Sequence, residues 1–156
     1  MDSTHQLMEL YQARQKYGGF MRHKIETILP DGTTATMIGG ILRAEGVITV
    51  ADKTYQVARS VMNDGIRGVA DYTIDGCPIG PPSVRLNDLE RKRSYVLRQR
   101  RIWSSTLVLL ENATEVGDFR WNCLQSRYRI LVDHGVPTKM VLLCVWVVMV
   151  RGEFTA

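Results

Sequence analysis

Cysteine is scarce in this chain, and its spacing excludes most of what cysteine does. Cys77, Cys123 and Cys144 are odd in number, far apart and never in a Cys-x-x-Cys pair. Neither a disulfide framework nor a zinc site is indicated, and reduced thiols in a cytosolic or nuclear setting are expected. The N-terminal stretch MDSTHQLMELYQARQ has no basic start and no apolar core, so it does not read as a secretory signal. No apolar run reaches the ~20 residues that cross a bilayer as a helix. Catalytic motifs are missing too: His5, His23 and His134 have no Gly-x-Ser-x-Gly elbow, His-Glu-x-x-His motif or phosphate loop beside them. Asp133-His134-Gly135 reads either as an acid–base pair or, more commonly for such a histidine, as the end of a helix answering its dipole; Cys144 lies in an apolar run that blunts a thiol, and Asp71 and Asp75 read as turn or surface carboxylates. These absences predict a non-enzymatic protein with no cofactor and no metal.

What is present is an ordinary globular composition with an arginine bias. Over 156 residues, 45% hydrophobic and 23% charged residues predict a single domain with its own core. Lys+Arg of 20 against Asp+Glu of 16 gives a net charge of +4, and only five of the cations are lysine. Guanidinium makes two-pronged contacts to phosphate and carboxylate that an ammonium does not. An anionic partner, either RNA or an acidic lipid surface, is therefore expected, the alternative being arginines that only solvate and pair on the surface.

Patterning along the chain suggests an α+β domain, a largely antiparallel sheet with about three helices packed on one face. Ser3 or Thr4 caps a first helix over residues 4–16, stopped by Gly18-Gly19. Alternation from Phe20 to Leu29, the turn Pro30-Asp31-Gly32-Thr33 and a return over residues 34–38 predict a hairpin, and residues 41–50 offer a further β-branched stretch. A second helix is read over residues 52–64, with Asp52 or Thr49 as its cap and Gly65 closing it. Residues 66–74 look like a strand, and residues 75–83, rich in Gly and Pro, like an irregular connection and the one possible internal break. Asp118 is taken to cap a third helix carrying Trp121, Leu124, Tyr128 and Leu131 and ending at Gly135 and Pro137. Residues 140–150, eleven apolar residues with five valines, are expected to form a strand buried on both faces.

The candidate binding site is the cluster Arg91, Lys92, Arg93, Arg98, Arg100 and Arg101, six positive charges in eleven residues, enough for a salt-sensitive multi-phosphate contact. Tyr95 and Trp103 flank it. They either stack on unpaired bases or point inward from a strand while their basic neighbours stay in water. Trp146 in the C-terminal run is either core or the anchor of a subunit interface at a sheet edge, which makes self-association an expectation.

This plan resembles the small matrix proteins of negative-strand RNA viruses, the rhabdoviruses in particular. The stretch from Lys24 to Val50, followed by the helix expected at Asp52, is similar to that family's early strands and first helix. The resemblance implies a self-associating virion protein that binds a nucleocapsid and the inner membrane leaflet. Two features depart from it: the family's lysine-rich N-terminal arm is missing, and Pro81-Pro82-Ser83-Val84 lacks the tyrosine of its budding motif.

Overall fold

The computed structural model describes residues 8–16, 22–40, 46–59, 64–66, 70–77, 80–101 and 106–150. Across them, period-two alternation decides the architecture. Twelve antiparallel strands follow one another: β1 Met8–Lys16, β2 Arg22–Ile28, β3 Thr34–Gly40, β4 Gly46–Val50, β5 Lys53–Arg59, β6 Asp64–Ile66, β7 Ala70–Cys77, β8 Gly80–Asp88, β9 Arg93–Gln99, β10 Leu107–Glu111, β11 Thr114–Asn122 and β12 Arg127–Asp133. Each pairs with its predecessor, and β1 pairs with β12 from Met8↔Asp133 to Arg14↔Arg127, closing the sheet into a barrel. Closure removes the unpaired edges that an open sheet exposes.

Inward positions carry Tyr11 and Ala13 of β1, Ile25 of β2, Met37 of β3, Leu86 of β8, Leu97 of β9, Phe119 of β11 and Ile130 of β12, all buried. Their neighbours Gln12, Glu26, Arg98, Arg120 and Arg129 lie on the opposite face.

Turn chemistry fits the sequence closely. Pro30 opens the β2–β3 turn, Asp31 Oδ1 accepts the Thr33 N–H at 2.9 Å, and Gly32 takes φ +89°, the left-handed conformation that favours glycine. Asn112 and Ala113, with φ of 52° and 67°, make the two-residue β10–β11 turn, whose twist matches its strands. The β8–β9 and β11–β12 turns share one design. An Asx side chain caps each from within, with Asp88 Oδ1 accepting from the Glu90 and Arg91 N–H groups and Asn122 Oδ1 from those of Leu124 and Gln125. Each closes on a left-handed residue, Lys92 or Ser126.

The barrel interior is filled by the chain's own C-terminal segment. After Asp133, the short link through Pro137 turns the chain back to α1, Thr138–Val145, which continues as a π-helical stretch, Trp146–Val150. Every residue from Met140 to Val148 is buried, so this helix is enclosed on all sides. Twelve strands about 4.8 Å apart and tilted by about 40° set a backbone diameter of roughly 24 Å; inner side chains narrow it to about 12 Å, the width of one helix. Small inward residues on adjacent strands, Ala13, Thr27 and Ala35 in register, make a shelf where the π-helical stretch approaches β2.

The α+β expectation, with three helices on one face of a sheet, is therefore overturned. Residues 8–16, read as part of a helix, are β1; the remainder of that helix, residues 4–7, lies outside the described residues. In the segment assigned to the second helix, Lys53–Arg59 is β5 and Asp64 opens β6, residues 60–63 lying outside the described residues, and the segment assigned to the third is the β11–β12 hairpin. Asp118, taken as the cap of the third helix, lies inside β11 and pairs with Arg120, and the Asx residue that caps a turn here is Asn122 four residues on, since Asx side chains cap helices and tight turns by the same bond to a backbone N–H. Spacings of three and four among Trp121, Leu124, Tyr128 and Leu131 were misleading, since a turn separates the first and third of them.

The C-terminal run corrects in the opposite direction, from strand to helix. Inside a closed barrel no strand edge is left to pair with, so a buried segment satisfies its N–H and C=O groups only within itself, whatever its valine content. Residues 75–83 are not an irregular connection where they are described. Asp75↔Ser83 and Cys77↔Gly80 are paired, with the register shift opposite Pro81 and Pro82, which have no N–H to give to a ladder.

Candidate anion-binding wall

Antiparallel connectivity gives the barrel two distinct rims. At the entry rim α1 dips into the lumen beside the β2–β3, β4–β5, β8–β9 and β10–β11 turns. The β11–β12 turn and the start of β10 belong to the far rim.

The six-residue basic cluster is divided between these rims by β9, whose seven residues span roughly 23 Å. Arg91 and Lys92 are exposed in the entry-rim turn. Arg93 is not free for a ligand: its Nε and Nη2 donate to Glu111 Oε2 and Oε1 at 2.8 and 2.6 Å, and Nη1 donates to the Gly135 carbonyl at 2.9 Å. Glu111 raises the guanidinium pKa further. Arg98 stands exposed on the outer wall, Arg101 is exposed at the far rim, and Arg100 pairs with Glu115 at 2.5 Å.

The two aromatic candidates among the described residues, Tyr95 and Trp146, face away from solvent. Tyr95 is 1% exposed in the lumen wall, with the Arg93 guanidinium carbon 5.4 Å from its ring centre. Burial pushes its phenol up to about 12. Trp146 is 0% exposed inside the barrel, which removes it as a surface anchor. Trp103 lies outside the described residues.

Strand pairing brings to Arg98, Arg100 and Arg101 a set of arginines that sequence separation concealed. On the outer wall Arg14 of β1 lies directly across from Arg127 of β12, and Arg129 of β12 directly across from Arg120 of β11. Arg98 is level with Val108, and Val108 with Asp118, so β9 joins the same wall. Like charges directly opposite each other destabilise a sheet, so two Arg–Arg pairs side by side are a local expense of this surface. Some of the charge is answered: Arg14 Nη2 meets Glu26 Oε1 at 3.0 Å, Arg120 Nη2 meets Asp118 Oδ2 at 3.3 Å, and Arg127 donates to Gln12. Arg129 and Arg98 are exposed and have no ion-pair partner among the described residues. The signal in the sequence was Arg127-Tyr128-Arg129-Ile130, an arginine-out, apolar-in alternation that the helix reading hid.

The entry rim also holds a histidine–carboxylate contact. His134 Nδ1 lies 2.5 Å from Glu9 Oε1, with the imidazole 72% exposed. Glu9 also borders an open cleft of about 440 Å³ lined by Met8, Gln12, Ile28, Leu29, Pro30 and Gly32. Among the described residues, no histidine, serine, threonine or cysteine lines that cleft. Among the described residues no three His, Cys, Asp or Glu side chains gather to hold a metal ion, and no helix is long and apolar enough to cross a membrane. No family model matches the chain, and neither the curated proteins nor the solved structures compared with it give a match.

Proposed function

We propose that this protein is a non-enzymatic binding and assembly module that docks on an anionic macromolecular surface through its outer wall. The carrying observation is that the lumen, where barrels of this kind hold small ligands, is occupied from Met140 to Val148 by the chain's own apolar helix. That leaves the outer wall as the working surface, and its most distinctive chemistry is the arginine group from Arg98 to Arg14. Guanidinium groups in cross-strand rows suit a partner with repeated anionic charges better than a single small anion. The self-association expected from the C-terminal run no longer has Trp146 to anchor it, so docking, not oligomerisation, leads this reading.

Binding of the purified chain to single-stranded RNA and to anionic vesicles across a salt series tests the proposal. Affinity should fall steeply with salt, and Arg98→Ala with Arg129→Ala should weaken it while leaving folding within about 0.5 kcal/mol per site. Arg91→Ala with Lys92→Ala, on the opposite rim, should change it little. Binding that ignores both salt and the Arg98 and Arg129 pair would contradict the proposal.

A further inference from the structure

We infer that the β11–β12 end of the far rim is the docking edge, and that the surface it meets is an anionic lipid leaflet. This inference rests on the proposed anionic docking and names the partner. Leu124, at the tip of the β11–β12 turn, is 96% exposed. The tip is held firmly: Asn122 Oδ1 accepts the Leu124 and Gln125 N–H groups at 3.1 and 3.2 Å, and Ser126 closes the turn at φ 51°. A large aliphatic side chain is thus built outward into water, where transfer to hydrocarbon favours it about thirtyfold.

Its neighbours match the depth profile of a membrane surface. Trp121, at the rim and 39% exposed, stands edge-on to Tyr128 with ring centres 5.0 Å apart, and tryptophan collects at headgroup level. Arg127 follows the turn directly and faces Arg14, while Arg129 and Arg120 face each other two residues further down. At about 3.3 Å per residue the Arg127 row lies at most roughly 10 Å and the Arg129 row at most roughly 16 Å behind the leucine, which places the nearer row toward the phosphates when the tip enters the acyl boundary by about 5 Å. Nucleic acid explains the arginines equally well but gives the leucine no role, because an aliphatic side chain offers neither a hydrogen bond to phosphate nor a π-face to a base.

Co-sedimentation of the full chain with phosphatidylcholine vesicles, plain or containing about one-third phosphatidylserine, tests the inference alongside a single-stranded oligonucleotide. Binding to the anionic vesicles alone is expected. Leu124→Asp should weaken it at least tenfold, Leu124→Trp should preserve or tighten it, and Arg127→Ala and Arg129→Ala should each cost about fivefold. The exposed tip keeps both leucine variants foldable, and circular dichroism checks this. Oligonucleotide binding without vesicle binding, or vesicle binding indifferent to Leu124→Asp, overturns the lipid assignment and leaves the anionic docking standing. Failure to bind either partner overturns both.

Discussion

Arg93 grips Glu111 with two parallel hydrogen bonds, at 2.8 and 2.6 Å, and with its remaining nitrogen holds the carbonyl of Gly135 at 2.9 Å. One side chain of the basic cluster therefore ties β9 and β10 to the link through which the chain enters its own barrel. Its place in a charged run suggested a ligand contact, whereas its geometry is that of a clamp.

Arg93→Ala is accordingly expected to destabilise the fold by about 2 kcal/mol, because a partly buried carboxylate and a carbonyl lose their donor. Arg93→Lys restores the charge without the fork and should recover only part of the loss. Urea unfolding of these variants beside Arg91→Ala, which should be near neutral, checks the assignment. Equal effects from Arg91→Ala and Arg93→Ala would be inconsistent with the clamp.

Lys139, in the first turn of α1, reaches Glu90 and comes within 3.7 Å of the buried Asp88 carboxylate. Its hydrogen bond, and then its charge, hold the Glu90 carboxyl below its usual range. A carboxylate with a depressed folded pKa adds stability above its unfolded pKa of about 4.3, and that stability is lost as pH falls through the lower folded value. The urea midpoint should therefore drop on acidification below about pH 4.3, with a shallower drop in Glu90→Gln. An identical pH profile in the two proteins would show that this contact adds nothing.

Gly117 of β11 lies directly opposite Val132 of β12. A Cβ built there would lie 2.6 Å from Val132 Cγ1 and 2.9 Å from the Leu131 carbonyl oxygen. Backbone cannot move aside as a side-chain end can, so Gly117→Ala should cost about 1–3 kcal/mol. Partial relief in Gly117→Ala with Val132→Ala would locate the clash; a neutral Gly117→Ala would argue against this strand pairing.

The hairpin at Pro30-Asp31-Gly32-Thr33 was legible because each residue there has its own turn chemistry and clear alternation flanks it. Residues 8–16 and 118–135 were not. Their apolar residues satisfy both helical and strand spacing over short windows, and nothing local distinguishes an Asx-capped turn from a helix start. The C-terminal helix was hidden for a different reason, since Val147, Val148 and Val150 favour strands and only barrel closure denies them a pairing edge. The candidate site was half visible: Arg98, Arg100 and Arg101 stand together in the sequence, while Arg14, Arg120, Arg127 and Arg129 join them only through strand register.

Everything proposed for the outer wall depends on the lumen being filled, and Cys144 reports that directly. It is fully buried in α1, and burial pushes its thiol well above the ordinary range, whereas Cys123 is exposed in the β11–β12 turn. The most direct measurement is the rate of thiol modification at these two cysteines in the native protein, read by peptide mass spectrometry over a urea series. Cys123 should react at once, and Cys144 only as fast as global unfolding exposes it. Rapid modification of Cys144 without denaturant would mean that the helix leaves the barrel in the native state, and would contradict the account.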